Sequence, residues 1–200
     1  MTLYNVAKGM FRLQFKLMGW KIQGVENLPL EGPVILAINH VSMWDPIVAA
    51  SSLPRPVRFM AKEELFSLPL LGKVFNTLGA FPVKRGQGDM NAIRQSLAIL
   101  KEGQVLGLFP EGKRSKTGTI QKGMPGMVLL MEKSKASIVP IKVNGTKHMF
   151  TKGWGKLFVV IGKPLTSEML KAPAGIDNRR EWIADRIMQA VLDLQLPKAQ

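Results

Sequence analysis

The residues of this chain best suited to moving a proton are His40 and Asp45, in the stretch Asn39-His40-Val41-Ser42-Met43-Trp44-Asp45-Pro46. An aspartate held on one imidazole nitrogen fixes the tautomer and leaves the other nitrogen as a base. Two further stretches carry charge in a patterned way. Lys84-Arg85 closes the segment Gly79-Ala80-Phe81-Pro82-Val83, and Glu111-Gly112-Lys113-Arg114-Ser115 follows the apolar run from Gln104 to Phe109. Lysine and arginine at loop ends suit a phosphate, which arginine grips through two parallel hydrogen bonds. A base beside a held phosphate fits deprotonation of an alcohol on a phosphorylated molecule. The plainer alternative is that Asp45 only caps a helix, His40 is a satisfied polar group and the cations are solvated.

The elements needed to place these residues can be read from the pattern around them. Pro33 to Ile38 is apolar and partly β-branched, as in a buried strand, so His40 stands where the chain leaves a sheet. Asp45-Pro46 reads as a helix start, because the residue before proline avoids the α region and proline suits the first helical position. The spacing predicts a short helix over 46–53, strands over 57–61 and 137–143, helical pieces over 63–78, and a short strand ending at Lys84-Arg85. It then predicts a helix from Asp89 to Lys101 ended by Gly103, a strand over 104–109, a helix over 124–134, a strand over 157–161 and a last helix over 178–194. Strands alternating with helices imply one α/β domain, and three strand ends then carry polar loops, where ligands bind in open sheets.

Residues 2–22 read as one amphipathic helix. Lys8, Arg12 and Lys16 form a basic stripe, while Val6, Met10, Leu13, Leu17 and Trp20 recur at helical steps, widened by Phe11, Phe15 and Met18. Such a helix fits the plane of a bilayer interface, and the alternative is a helix packed on the core with a solvated basic face. The organisation expected is therefore a membrane-associating segment over 1–24 and the main domain over 25–200.

Composition narrows the chemistry. A net charge of +14 calls for an anionic partner, whether nucleic acid, a membrane surface or a phosphorylated substrate. Aromatic content of 7% is low for a protein that stacks bases, which favours lipid over nucleic acid. With no cysteine, disulfides and thiol nucleophiles are excluded. There is no G-x-S-x-G elbow for an acyl-enzyme and no phosphate-binding loop for nucleotide chemistry. The two histidines, His40 and His148, lie far apart with no zinc motif, so no metal is expected. No stretch matches a spanning helix or a signal peptide, which places the expected location on the cytoplasmic side, attached peripherally or monotopically to the cell membrane. Direct transfer of a group activated elsewhere fits best.

Four ordered blocks resemble the glycerolipid acyltransferases, above all the lysophosphatidic acid acyltransferases: Asn39-His40-x4-Asp45, Gly79-x-Phe81-x-Val83-x-Arg85, Phe109-Pro110-Glu111-Gly112-Lys113-Arg114-Ser115, and Val139-Pro140-Ile141. The family commonly has threonine where Lys113 stands. The resemblance implies a glycerol-3-phosphate-acyltransferase-like fold, a mixed, mostly parallel sheet flanked by helices. It implies acyl transfer from acyl-CoA or acyl-carrier protein to the 2-hydroxyl of lysophosphatidic acid, with no cofactor beyond that co-substrate. His40 and Asp45 would be catalytic. Lys84, Arg85, Glu111, Gly112, Lys113 and Arg114 would bind phosphate and glycerol, with Glu111 bracing the cations or binding glycerol. Amides near Gly112 would meet the oxyanion, and Asn39, Ser115, Lys122 and Gly123 would support the oxyanion or the loop. Glycerol 3-phosphate or another lysophospholipid is the alternative acceptor, and a non-catalytic basic lipid or nucleic-acid binder is the competing class.

Overall fold

The structure, a computed structural model, describes residues 2–67, 69–84, 89–115, 117–119, 121–150 and 157–196. Its centre is β2 (Val34–Ile38), whose five side chains are all buried. A strand buried on both faces needs a continuous apolar run rather than an alternating one, and that is what Val34-Ile35-Leu36-Ala37-Ile38 supplies. Around it lie β1 (Lys21–Gln23), β3 (Val57–Lys62), β4 (Phe81–Val83), β5 (Val105–Leu108), β6 (Ser137–Asn144) and β7 (Phe158–Ile161), in the order β1-β7-β6-β2-β5-β3-β4. Strands β6, β2, β5, β3 and β4 run parallel. Strand β7 reverses against β6, and β1 runs parallel to β7. The carboxyl ends of the five parallel strands therefore share one edge, and the loops after β2, β4 and β5 leave from it.

Helices cover both faces. On one, α1 (Thr2–Leu17) and α2 (Asp45–Ser52) join a core with Phe15, Leu36, Val48, Leu53 and Val139. On the other, α4 (Met90–Lys101), α5 (Gly126–Ser134) and α6 (Arg179–Asp193) meet Ile35, Leu106 and Ile138 through Leu100, Val128 and Ile187. A further helix, α3 (Pro69–Thr77), leads into β4.

Three expectations need correction. The first helix stops at Leu17, not residue 22. Gly19 adopts φ 76°, Trp20 N–H donates to Phe15 O at 3.0 Å and Gly19 N–H to Lys16 O at 3.1 Å. That paired pattern is a Schellman cap, which ends a helix with a left-handed glycine. Trp20 folds back edge-on to Phe15, and Lys21–Gln23 becomes an edge strand of the main sheet. Nor is the basic stripe uniform. Lys8 turns inward, its ammonium donating to Leu53 O at 2.5 Å, and burial pushes its pKa down, with Arg12 adding to the effect. Finally, α5 begins at Gly126, behind Pro125, and leaves Met124 outside the helix and exposed.

The apolar residues of α1 divide between two faces. Phe15 and Met18 are buried, whereas Leu3, Val6, Met10, Leu13 and Leu17 are 53 to 69% exposed and stand on one outward stripe. Single exposed apolar side chains are ordinary, but a stripe of five along one helix is a surface without a partner. Among the described residues, no helix is long and apolar enough to cross a membrane.

Candidate active site

The site is assembled where β2, β5 and β6 end. Asn39, the first residue past β2, clamps the end of β6 with its side-chain amide: Nδ2 donates to Val143 O at 2.9 Å and Oδ1 accepts from Val143 N at 2.7 Å. The backbone of His40 is then tied twice to the loop after β5. Its N–H donates to Glu111 Oε1 at 2.7 Å, and its carbonyl accepts from Ser115 N at 2.8 Å. A histidine fixed at both peptide groups has its backbone held in one place.

The ring is aimed by Asp45, whose Oδ2 lies 2.9 Å from His40 Nδ1. The same oxygen accepts from Val41 N and Ser42 N, each at 2.7 Å. Asp45 is fully buried, and its second oxygen accepts from the hydroxyl of Thr146 at 2.5 Å. The aspartate thus opens α2 but does not cap it. Its carboxylate turns back over the tight loop and closes that loop instead. A carboxylate only accepts, so Nδ1 carries the ring proton and Nε2 is left free to take one. The Phe109 ring stacks on the imidazole, with centroids 4.1 Å apart and planes 25° apart.

Glu111 is tied to the backbone on both oxygens. Its two oxygens accept backbone N–H groups, from His40 and, at 3.1 Å, from Gln121. Among the described residues it forms no ion pair with lysine or arginine, so it braces the backbone rather than the cations. Burial pushes its pKa up, and the hydrogen bonds from His40 and Gln121 offset part of that rise. Gly112 has φ 70°, and its N–H donates to Phe109 O at 2.9 Å. That amide is committed to a turn and is not available to an oxyanion.

Beside His40 lies a cavity of about 520 Å³. Its lining includes the polar Lys84 and Lys113, Gly112, and the apolar Ile93, Met127 and Leu130. Lys84 is held by Asp89, which accepts Lys84 N at 2.9 Å while capping α4 through Asn91 N and Ala92 N. The hydrogen bond from Lys84 is the first cause that holds the Asp89 carboxyl below the usual range, followed by that from Ala92.

A family model described as "Acyltransferase" matches residues 19–144. The chain belongs to this acyltransferase family. It is 34% identical over 151 residues to the 1-acyl-sn-glycerol-3-phosphate acyltransferase of Bacillus subtilis, covering 74% of each chain. It is 31% identical over 173 residues to a chloroplastic 1-acyl-sn-glycerol-3-phosphate acyltransferase of Arabidopsis thaliana, covering 82% of this chain but 48% of that one, about half its length. The solved structure of the 1-acyl-sn-glycerophosphate acyltransferase of Thermotoga maritima has the same fold, with a TM-score of 0.72 at 22% identity over 96% of this chain and 80% of the other.

The acyltransferase chain brings together some of the residues singled out in its sequence and separates others. His40, Lys84, Glu111, Gly112 and Lys113 line one cavity, and Asp45 backs His40. Arg85 lies outside the described residues. Arg114 and Lys113 are both exposed, and of the two only Lys113 joins the lining. Asn39 and Ser115 support the loop, Ser115 also accepting Gly118 N at 3.0 Å. Lys122 is exposed, and Gly123 sits where a side chain would meet Ala184 and Met188 of α6, which makes its role packing. Sequence reasoning passed over Thr146 and the ring of Phe109. The first follows an Asn144-Gly145 turn and carries no motif, and the second was visible only as a letter in its block.

Proposed function

We propose that the chain transfers an acyl group from an acyl thioester, acyl-CoA or acyl-carrier protein, to the 2-hydroxyl of lysophosphatidic acid, giving phosphatidic acid for phospholipid synthesis. The observation that carries this reading is the His40–Asp45 pair at a cavity lined by two lysines and by apolar residues. His40 Nε2 takes the hydroxyl proton, and Asp45 stabilises the imidazolium that forms. The alkoxide oxygen bonds to the thioester carbonyl carbon, and the tetrahedral intermediate expels the thiolate as the C–S bond breaks. The imidazolium then returns its proton to the sulfur. Lys84 and Lys113 attract the acceptor phosphate, with Arg85 and Arg114 contributing positive charge from the same loops. Met127 and Leu130 offer apolar wall to an acyl chain, which suits the adaptable thioether of methionine.

The acceptor lives in a membrane, and α1 supplies the attachment. Its outward stripe enters the interface while Arg12 and Lys16 meet anionic headgroups, each worth about 1 kcal/mol near such a surface. A positive net charge suits the anionic cytoplasmic leaflet. An acceptor panel tests the reading. Purified protein on anionic vesicles receives a radiolabelled acyl thioester with lysophosphatidic acid, glycerol 3-phosphate or a zwitterionic lysophospholipid. Label in phosphatidic acid is the expected product, and label confined to acylated glycerol 3-phosphate would overturn it.

A further inference from the structure

We infer that Thr146 is a positioning residue for acyl transfer, its hydroxyl fixing the plane of the Asp45 carboxylate that aims His40. The inference rests on the reading of His40 and Asp45 as the catalytic pair.

The three donors on Asp45 Oδ2 all come from the tight loop that Asp45 itself closes: His40 Nδ1, Val41 N and Ser42 N. They hold one oxygen from one side, and they alone would oppose a turn about the Cβ–Cγ bond, a torsion with broad, roughly two-fold preferences. Thr146 reaches Oδ1 from a position 101 residues away in the chain. It holds the second oxygen from the opposite part of the chain, so the carboxylate orientation is opposed from both oxygens and Oδ1 keeps a donor.

Thr146 is itself held firmly. It is 1% exposed, and its β-branched side chain is stiff about χ1. It begins the 3-10 turn Thr146–His148, entered through Gly145 at φ 87°, a backbone state that favours glycine. Just before that turn, the Asn39 amide locks Val143 to the end of β2. The end of β6 is thereby registered to the residue beside His40, and Thr146 carries that register across to Asp45. In a buried carboxylate the loss of one donor leaves a lone pair with neither protein nor solvent partner, which is the expensive form of a broken hydrogen bond. Thr146 lies outside the lining of the cavity, so it acts on the rate of the chemical step and not on acceptor binding.

The test compares Thr146→Val, which keeps shape and removes the hydroxyl, with Thr146→Ser, which keeps the hydroxyl. The assay is phosphatidic acid formation on vesicles, with melting temperature recorded in parallel. Thr146→Val is expected to lower kcat by about ten- to a hundredfold with KM for the lysolipid unchanged, the range of a hydrogen bond to a charged group. Thr146→Ser is expected to recover most of the rate. In an Asp45→Ala background Thr146→Val should cost nothing more, because the residue acts through Asp45. If Thr146→Val does not accumulate in folded form, Thr146→Ala takes its place with the same split between kcat and KM. A kcat within about twofold of wild type, or an equal loss with Asp45 already removed, overturns the inference. His40→Ala run alongside separates the two levels. Full rate in that variant overturns the catalytic pair itself, whereas a large loss there with no effect at Thr146 overturns only the positioning role.

Discussion

Glu111 ties the loop after β5 to the backbone of the residue at the heart of the site. Both of its oxygens are spent on backbone N–H groups, one of them that of His40. Protonation would convert one oxygen into a donor and release one of those amides. Because burial raises its pKa, the folded chain takes up this proton before the unfolded chain does. The window begins at the ordinary value of 4.5 and extends upward from it. In that window the stability linked to Glu111 increases as pH falls, since the folded state binds more protons than the unfolded one. Activity moves the other way, because the His40 backbone loses its acceptor. Glu111→Gln keeps one acceptor oxygen and cannot titrate. It should flatten the part of the acid limb of kcat that belongs to this group, and an unchanged limb would remove Glu111 from the account. At this scale the sequence disclosed the pair at His40 and Asp45, because a tight loop makes their meeting a local matter. It did not disclose Thr146 or the inward turn of Lys8, because both contacts join segments that only the sheet brings together.

Among the elements, α1 has a surface that packing alone leaves unexplained. Phe15 and Met18 secure it to the core, and Lys8 ties it to the end of α2. What remains outward is Leu3, Val6, Met10, Leu13 and Leu17. Replacing both Met10 and Leu13 by glutamate removes two insertable side chains and adds charge that an anionic surface repels. Partitioning onto anionic vesicles should fall by at least about a hundredfold, from roughly 1.5 to 3 kcal/mol per apolar side chain. The melting temperature should change little, because both positions are exposed. Undiminished flotation would move the membrane contact to another surface. The turn between β4 and α4 makes a second element-scale case. Asp89 joins the cap of α4 to the backbone of Lys84, a residue of the cavity lining. Asp89→Ala should raise KM for the phosphorylated acceptor several-fold with kcat nearly unchanged, a pattern read directly from initial rates. The Asp89 cap was legible from its position before a periodic apolar run. The early end of α1 was not, since a Gly19 cap and a helix continuing through Trp20 fit the same periodicity.

At the level of the whole molecule, the alternation of strands and helices was enough to give an α/β sheet with its polar loops at strand ends. The edge formed by β1 and β7 was harder to foresee. Three residues, Lys21-Ile22-Gln23, carry too little pattern to announce a strand, and the antiparallel run of β7 against β6 is set by a pairing that the strand's own residues do not reveal. That reversed edge matters to the chemistry. It anchors the far end of β6, from which Thr146 reaches Asp45, and it sets α1 across the face next to α2. One sheet edge thus brings the His40–Asp45 pair, Lys84 and Lys113 to one cavity. The most direct measurement is the initial rate of phosphatidic acid formation from lysophosphatidic acid and an acyl thioester, for wild type and His40→Ala side by side on the same vesicles. Loss of the general base predicts a fall in kcat of at least about 10²-fold with vesicle binding and melting temperature retained. Equal rates for the two proteins would contradict the account.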